Sequence, residues 1–235
     1  RIDVIEPGRN YTNARVEISG KATARASVFS ASDFGFSTAK PVVVKQRHAN
    51  DAGAFDDLST SGLNNWLLVL GSGPRGELAL QQFESGAAAS LLLYDLIQRR
   101  FVAGFRPDVN ANDDDADFTL VSHPNSFTGD FAAVDWNDDY SDDAVYFGIV
   151  AGSASNPNGA LKRLALDFAN PVNSSLTTLL ETENPVVNTP RLIKDTLENH
   201  WVYAGTGRFL STNDNQSQKQ QYFYGVIDKN DSLTL

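Results

Sequence analysis

The run Gly129-Asp-Phe-Ala-Ala-Val-Asp-Trp-Asn-Asp-Asp-Tyr-Ser-Asp-Asp-Ala-Val-Tyr-Phe-Gly-Ile-Val-Ala-Gly152 sets an apolar strand on each side of an acidic turn. Its plan is strand, polar turn, strand, glycine pair, and it recurs. Phe36–Lys45 leads through a polar insert to Trp66-Leu-Leu-Val-Leu-Gly71-Ser-Gly73. Asn188–Lys194 leads through a short turn to His200-Trp-Val-Tyr-Ala-Gly205-Thr-Gly207. A third strand follows each glycine pair: Ser90–Asp95, Leu161–Asp167 and Tyr222–Asp228. Short β-branched and aromatic runs bounded by Gly, Pro and Asn, with no long amphipathic helix between them, predict antiparallel sheet. Repetition at blade-like length predicts an all-β modified or partial β-propeller built from repeated antiparallel blades. A sandwich also uses many short strands, but it leaves the repeated glycine-rich second turn unexplained.

Within the quoted run, Asp135, Asn137, Asp139 and Asp143 offer side-chain oxygens at spacings 1, 3, 5 and 9. Calcium takes about six to eight hard oxygens, and a tight loop presenting alternate side chains supplies them. Asp and Asn also favour turns without any metal; the regular spacing is what points to calcium. A second dense acidic run lies in the polar loop 106–128, where Asp113, Asp115 and Asp117 offer a looser calcium site or simply a solvated face. The other polar insert is 46–65. Residues 1–32 read separately: Arg15–Gly20 and Ala22–Val28 alternate as an N-terminal β-hairpin around Gly20-Lys21, either inserted or appended, and 33–235 form the propeller-like unit.

Composition narrows the function classes. At 235 residues the chain is long enough for a substantial core. Its net charge of -10 argues against nucleic acid and anionic lipid, both of which are met by clustered Lys and Arg. No apolar run approaches the ~20 residues of a membrane-spanning helix, and no signal-peptide pattern opens the chain. Arg1 at the start suggests a processed or truncated product. Cys and Met are both absent, which excludes disulfides and thiolate metal sites and suits an extracellular setting.

Catalytic signals are thin. Gly71-Ser-Gly73-Pro-Arg-Gly76 after a strand, with Asp95 downstream, has the spacing of a dinucleotide fingerprint. The helix it requires would be Glu77–Ser85, barely two turns, with an acidic residue where a phosphate should sit. The same strand-then-glycine pattern recurs at Gly205-Thr-Gly207 without a helix, so a structural turn explains both. His48, His123 and His200 are isolated and read as surface or turn residues. No GxSxG elbow is present. Trp66, Trp136 and Trp201 read as packing residues, with Trp136 placed to shield a metal or present a contact face.

Trp201-Val-Tyr-Ala-Gly-Thr-Gly207-Arg-Phe-Leu-Ser-Thr212, followed by Gln220-Gln-Tyr-Phe-Tyr-Gly225-Val-Ile-Asp228, resembles the closing motif of the PilC/PilY family of type IV pilus tip-associated adhesins and assembly factors. Phe34–Val44, Leu68–Gly73 and Gly159–Leu164 are similar to that family's blade strands. The resemblance spans roughly residues 33–229. It implies a modified propeller with an embedded calcium loop at 135–143. Asp135, Asn137, Asp139 and Asp143 would ligate Ca2+ by side chain and Ser141 by its backbone carbonyl. It further implies a non-enzymatic role at the cell surface in pilus assembly, retraction control and attachment, with major or minor pilins as partners. Two features depart from the family. Its loops usually carry glycine where this chain has Asp138 and Tyr140, and a non-Gly residue at positive φ costs on the order of 1 kcal/mol. At ~40–50 residues per blade the chain is also too short for a seven-bladed ring, which leaves a part, a reduced version, or a propeller completed by a further chain. Two other classes stay open: a quinoprotein-dehydrogenase-like enzyme, whose cofactor pocket is not traceable here, and an integrin-type propeller, in which acidic loops should recur from blade to blade.

Overall fold

The computed structural model describes residues 35–36, 38–46, 65–97, 99–101, 117–119, 123–153, 155–166 and 174–229. The first sheet contains β1 (Val42–Gln46), β2 (Asn65–Gly71), β3 (Ser90–Asp95), β4 (Arg100–Phe101) and β5 (Asp117–Thr119). The second contains β6 (Ser126–Val134), β7 (Ala144–Gly152), β8 (Pro157–Ala165) and β9 (Ser175–Thr182). The third contains β10 (Arg191–Lys194), β11 (His200–Gly205) and β12 (Phe223–Asp228). Each sheet runs in sequence order as an antiparallel meander, except that β4 and β5 both pair with β3. The described helices are a single turn, α1 (Ala79–Gln82), and a 3-10 turn at Asp214–Gln216.

The three repeated units of the sequence are thus the first three strands of the three sheets. The chain is all-β, and among the described residues the sheets do not close into a barrel or ring. Two readings need correction. The supposed polar loop 106–128 contributes β5 and the start of β6, so Asp117 sits in a strand opposite Leu92. Strand β9 adds a fourth member to the second sheet, outside the three-strand unit. The glycine-rich turn after β2 leads through one helical turn into an antiparallel neighbour, as a structural turn does and a dinucleotide fold does not. The expected hairpin within 1–32, His48, Asp113 and Asp115 lie outside the described residues.

Strand β7 explains how the sheets stack. Its sequence is apolar without alternation because both of its faces are covered. Val145, Phe147, Ile149 and Ala151 join Val44, Leu67, Val69, Leu91 and Leu93 of the first sheet in one core. Ala144 and Tyr146 turn the other way, meeting Val186, Val202 and Ala204 on the side of the third sheet. The second sheet is therefore the filling between two others. Burying a side chain such as Phe147 contributes about 1.5–3 kcal/mol. The outer faces stay open among the described residues: Val43 and Trp66 on the first sheet, Ile193 and Phe223 on the third, are all exposed.

The sheets also meet at their first strands. A bulge in β6 between Thr128 and Phe131 carries Asp130. Asp130 accepts hydrogen bonds from Lys40 N (2.8 Å) before β1 and from Thr189 Oγ1 (3.1 Å) before β10. One carboxylate thereby ties the entries to all three sheets.

Gly148 marks the closest approach. A Cβ there would lie 2.0 Å from the Val186 carbonyl oxygen, and a backbone atom has no rotamer with which to yield. Gly148→Ala should cost about 1–3 kcal/mol in urea denaturation. Gly205→Ala, whose new methyl would meet nothing nearer than Phe223 Cδ2 at 3.7 Å, is the control and should be nearly silent.

Candidate functional site

The turn from β6 to β7 is built by its own side chains. Asp135 Oδ1 accepts from Asp139 N (3.2 Å) and its Oδ2 from Tyr140 N (2.7 Å). Asn137 Oδ1 also accepts from Asp139 N, at 3.1 Å. Asp139 Oδ1 accepts from Ser141 N (2.8 Å), and Asp143 Oδ2 from Trp136 N (2.6 Å). Asp135, Asn137, Asp139 and Asp143 thus each accept from a backbone N–H of the one turn, and the Ser141 N–H is among those donors. This local bonding is why Asp and Asn at alternate positions fold the chain back so tightly.

The backbone bears out the strain expected where glycine is missing. Asp138 has φ 61° and Tyr140 has φ 70°. Tyr140 offsets part of this cost by holding its ring under the Lys45 ammonium, 5.3 Å from the centroid.

Electrostatics work against the turn. Burial raises the Asp143 carboxyl above the ordinary range, and the neighbouring charges of Asp139 and Asp135 raise it further. Asp142 is raised as well, first by burial and then by Asp135, although the Lys45 N–H pulls it the other way.

Among the described residues, no three or more His, Asp or Glu side chains converge in a metal-holding arrangement. The loop oxygens instead face N–H donors. The donor types are nevertheless those that calcium takes. An ionised carboxylate has about four lone-pair sites, so an N–H bond leaves acceptor capacity, and every available donor is a hard oxygen.

The loop touches both flanking sheets. Towards the first, Asp142 Oδ2 accepts from Lys45 N (2.7 Å) and Asp142 N donates to Lys45 O (2.8 Å). Towards the third, the Trp136 ring stacks on His200 at 4.2 Å with a 4° tilt, and Lys194 Nζ donates to Trp136 O at 3.2 Å. Trp136 is buried, so it packs between sheets, as read from the sequence, and presents no contact face. A cleft of ≈ 560 Å³ opens beside it, bordered by Asn137, Lys194, His200 and Asp228.

Other candidates resolve differently. The matching turn of the third sheet, Asp195 to Asn199, is a hydrogen-bonded cap. Side-chain donors on Asn199 and Trp201, with backbone N–H groups, hold the Asp195 carboxyl well below the usual range. Acidic calcium-type spacing therefore does not recur there. His123 lies in a bend before β6, as a turn residue, but it is buried and contacts Glu181 at 3.1 Å, so it is not on the surface. Gly71 and Gly73 are explained by packing: a Cβ on either would overlap Thr128 or the Phe36 backbone. The sequence also concealed Arg208. This side chain, almost fully buried with Asp214, donates to the carbonyls of Gln82 and Phe83 in the first sheet's connection.

Comparison with known proteins gives a likeness of fold. No family model matches the chain, and no curated protein matches it. Among solved structures, the chain is similar to the crystal structure of the C-terminal domain of PilY1 from Pseudomonas aeruginosa, with TM-score 0.53 and 16% identity over 86% of this chain. The chain spans only 40% of that structure. The likeness is one of fold, a distant PilY1-like arrangement of β-sheets. No helix of the described residues is long and apolar enough to cross a membrane.

Proposed function

We propose that this chain is a calcium-binding, non-enzymatic, extracellular component of a type IV pilus system, acting with pilin subunits in assembly, retraction control or attachment. In this reading residues 33–235 are part of a modified propeller and 1–32 an added hairpin. The open outer faces of the first and third sheets are covered by a further chain or further sheets. The observation that carries the reading is the position of the acidic loop: it is joined to Lys45 on one neighbouring sheet and to His200 and Lys194 on the other. The distant PilY1-like fold supports the setting.

The residues proposed to hold calcium are Asp135, Asn137, Asp139 and Asp143 by side chain and Ser141 by its carbonyl. When bound, the ion supplies the positive charge that these carboxylates lack. Asp142 and Trp136 then fix the loop to the sheets on either side, so a rigid loop makes a rigid stack. A ligand that binds only the ordered state stabilises it by mass action.

Two measurements test this reading. Calorimetric titration should show calcium binding to the wild type and none to the Asp135→Ala/Asp143→Ala double variant; unchanged binding in the variant defeats the site. Pili sheared from cells that express the protein should carry it, and its absence from them removes the pilus assignment.

A further inference from the structure

A cavity of ≈ 180 Å³ lies where the β9–β10 connection meets the start of β8 and the long loop after β11. It shares no lining residue with the cleft beside Trp136. Its floor is buried, formed by Asn184, Pro185 and the side chains of Arg208 and Asp214. Its rim is exposed, formed by Ser217, Lys219 and Gln221. Within the floor, Asn184 is incompletely bonded. It is 3% exposed, and its Oδ1 is buried with no hydrogen-bond partner among the described residues. Turning the amide over does not help: Nδ2 donates to Gln220 O at 2.8 Å, and the swap would set two oxygens against each other. The residue is also held at its backbone, where its carbonyl accepts from Thr182 Oγ1 at 2.7 Å. A buried acceptor without a donor is costly, and folded proteins place a partner beside it. The cavity that Asn184 borders is the space from which such a donor can come.

The rest of the wall defines the molecule to which that donor belongs. Arg208 and Asp214 neutralise each other at 2.8 Å, so the floor favours a neutral ligand. The rim offers donors as well as acceptors. Ser217 Oγ accepts from Lys219 N at 3.5 Å, which leaves its hydroxyl hydrogen to donate. The Gln221 amide is held in place between Thr206 Oγ1 (3.0 Å) and Lys219 O (3.1 Å). Pro157 and Pro185 add apolar surface. Above Gly207 the space is open: a Cβ there would meet nothing nearer than Gln221 Oε1 at 3.6 Å. A cavity of about 150 Å³ holds one benzene ring, so this one has the size of a single six-membered ring with its substituents. A plain hydrocarbon ring would leave Asn184 Oδ1 without a donor. A pyranose is neutral, its hydroxyls both donate and accept, and its C–H faces suit proline. We infer that this cavity binds one pyranose unit of a glycan, with a sugar hydroxyl donating to Asn184 Oδ1 and others meeting Ser217 and Gln221 at the rim. The site is independent of the acidic turn and of any metal there, since it uses no residue of 135–143.

The test is a chemical-shift titration of the wild-type protein with the methyl glycosides of glucose, galactose, mannose and N-acetylglucosamine. At least one of them should give saturable shifts at the Asn184 side-chain amide, at Gly207 and across residues 217–221, with a millimolar dissociation constant. Gln221→Ala, at the exposed rim, should weaken that binding on the order of tenfold. Asn184→Leu, which removes the unpartnered oxygen, should abolish it. The wild-type titration needs no variant, so a folding defect in Asn184→Leu does not cloud the result. Cyclohexanol, a six-membered ring with a single hydroxyl, should not bind; binding as tight as that of a glycoside would make the cavity an apolar slot and overturn the inference. N-methylacetamide binding at these residues where no glycoside does would reassign the cavity to a peptide segment, and overturns it equally. So does the absence of a saturable shift with every glycoside, or shifts confined to the cleft beside Trp136.

Discussion

Asp214→Ala should be among the most destabilising single substitutions in this chain, losing about 3–5 kcal/mol in urea denaturation near neutral pH. The reason is what it leaves behind. Arg208 and Asp214 are 3% and 4% exposed at their side chains, with Arg208 Nε 2.8 Å from Asp214 Oδ1. The other oxygen, Asp214 Oδ2, accepts from Leu210 N, Ser211 N and Ser211 Oγ. Removing the carboxylate strands a guanidinium that has no other ion-pair partner among the described residues and deprives these donors of their acceptor. Arg208 also reaches across to the Gln82 and Phe83 carbonyls at the end of α1, where Phe83 has φ 51°. The damage should therefore spread from the loop after β11 to the connection between β2 and β3. Arg208→Leu/Asp214→Ala should cost less than Asp214→Ala alone, because it removes the stranded charge.

The same pair predicts an acid dependence. Burial by itself would raise the Asp214 carboxyl. The backbone N–H groups of Leu210 and Ser211 and the Arg208 charge outweigh that and hold it below the ordinary value. A carboxylate depressed in the folded state contributes stability that is present above its unfolded value, about 3.9, and is lost as pH falls through the folded one. The gap between wild type and Asp214→Asn should be widest above pH 5 and should narrow in strong acid. A gap that widens on acidification would contradict the assignment.

Much of the architecture was visible in the residues because sheets write a local code. The three strand–glycine–strand units map onto three meanders, and Ser90–Asp95 is β3 to the residue. The unalternating apolar run Ala144–Ala151 belongs to a strand covered on both faces. Ser-Leu-Thr-Thr-Leu-Leu-Glu-Thr at β9 escaped notice because its leucines do not alternate, and pairing with β8 shifts register at Leu161 to absorb the mismatch. The acidic turn was legible for the same local reason: its oxygens bond backbone groups only a few residues away, and its positive φ angles fall where glycine was missing. What stayed hidden is long-range. The bonds of Asp142 to Lys45, of Tyr146 to Asp228 and of Arg208 to Gln82 span 97, 82 and 126 residues, and no periodicity encodes them. The burial of Trp136 belongs to this class too, since only the third sheet makes a core around it.

Under the calcium reading, adding calcium at a thousand times its dissociation constant should raise the unfolding free energy by about 4.1 kcal/mol. At roughly 2–4 °C per kcal/mol for a chain of this size, that is an upward shift on the order of 10 °C in the melting midpoint. The size of the shift follows from the loop's position. A turn fastened to Lys45 on one side and to His200 and Lys194 on the other opens only by disturbing the packing of two interfaces, so binding should stabilise the stack as a unit. Magnesium should give a smaller shift, because it keeps its waters and demands a stricter octahedron than this carboxylate-and-carbonyl turn offers. Asp135→Ala/Asp143→Ala should abolish the shift. Asp142→Asn should preserve most of it, because the carboxylate of Asp142 is already committed to the Lys45 N–H. A double variant that still gains the full shift would place the ion elsewhere. A wild type with no shift at millimolar calcium would mean that Asp135, Asn137, Asp139 and Asp143 are spaced to close a turn on its own N–H groups and for nothing more.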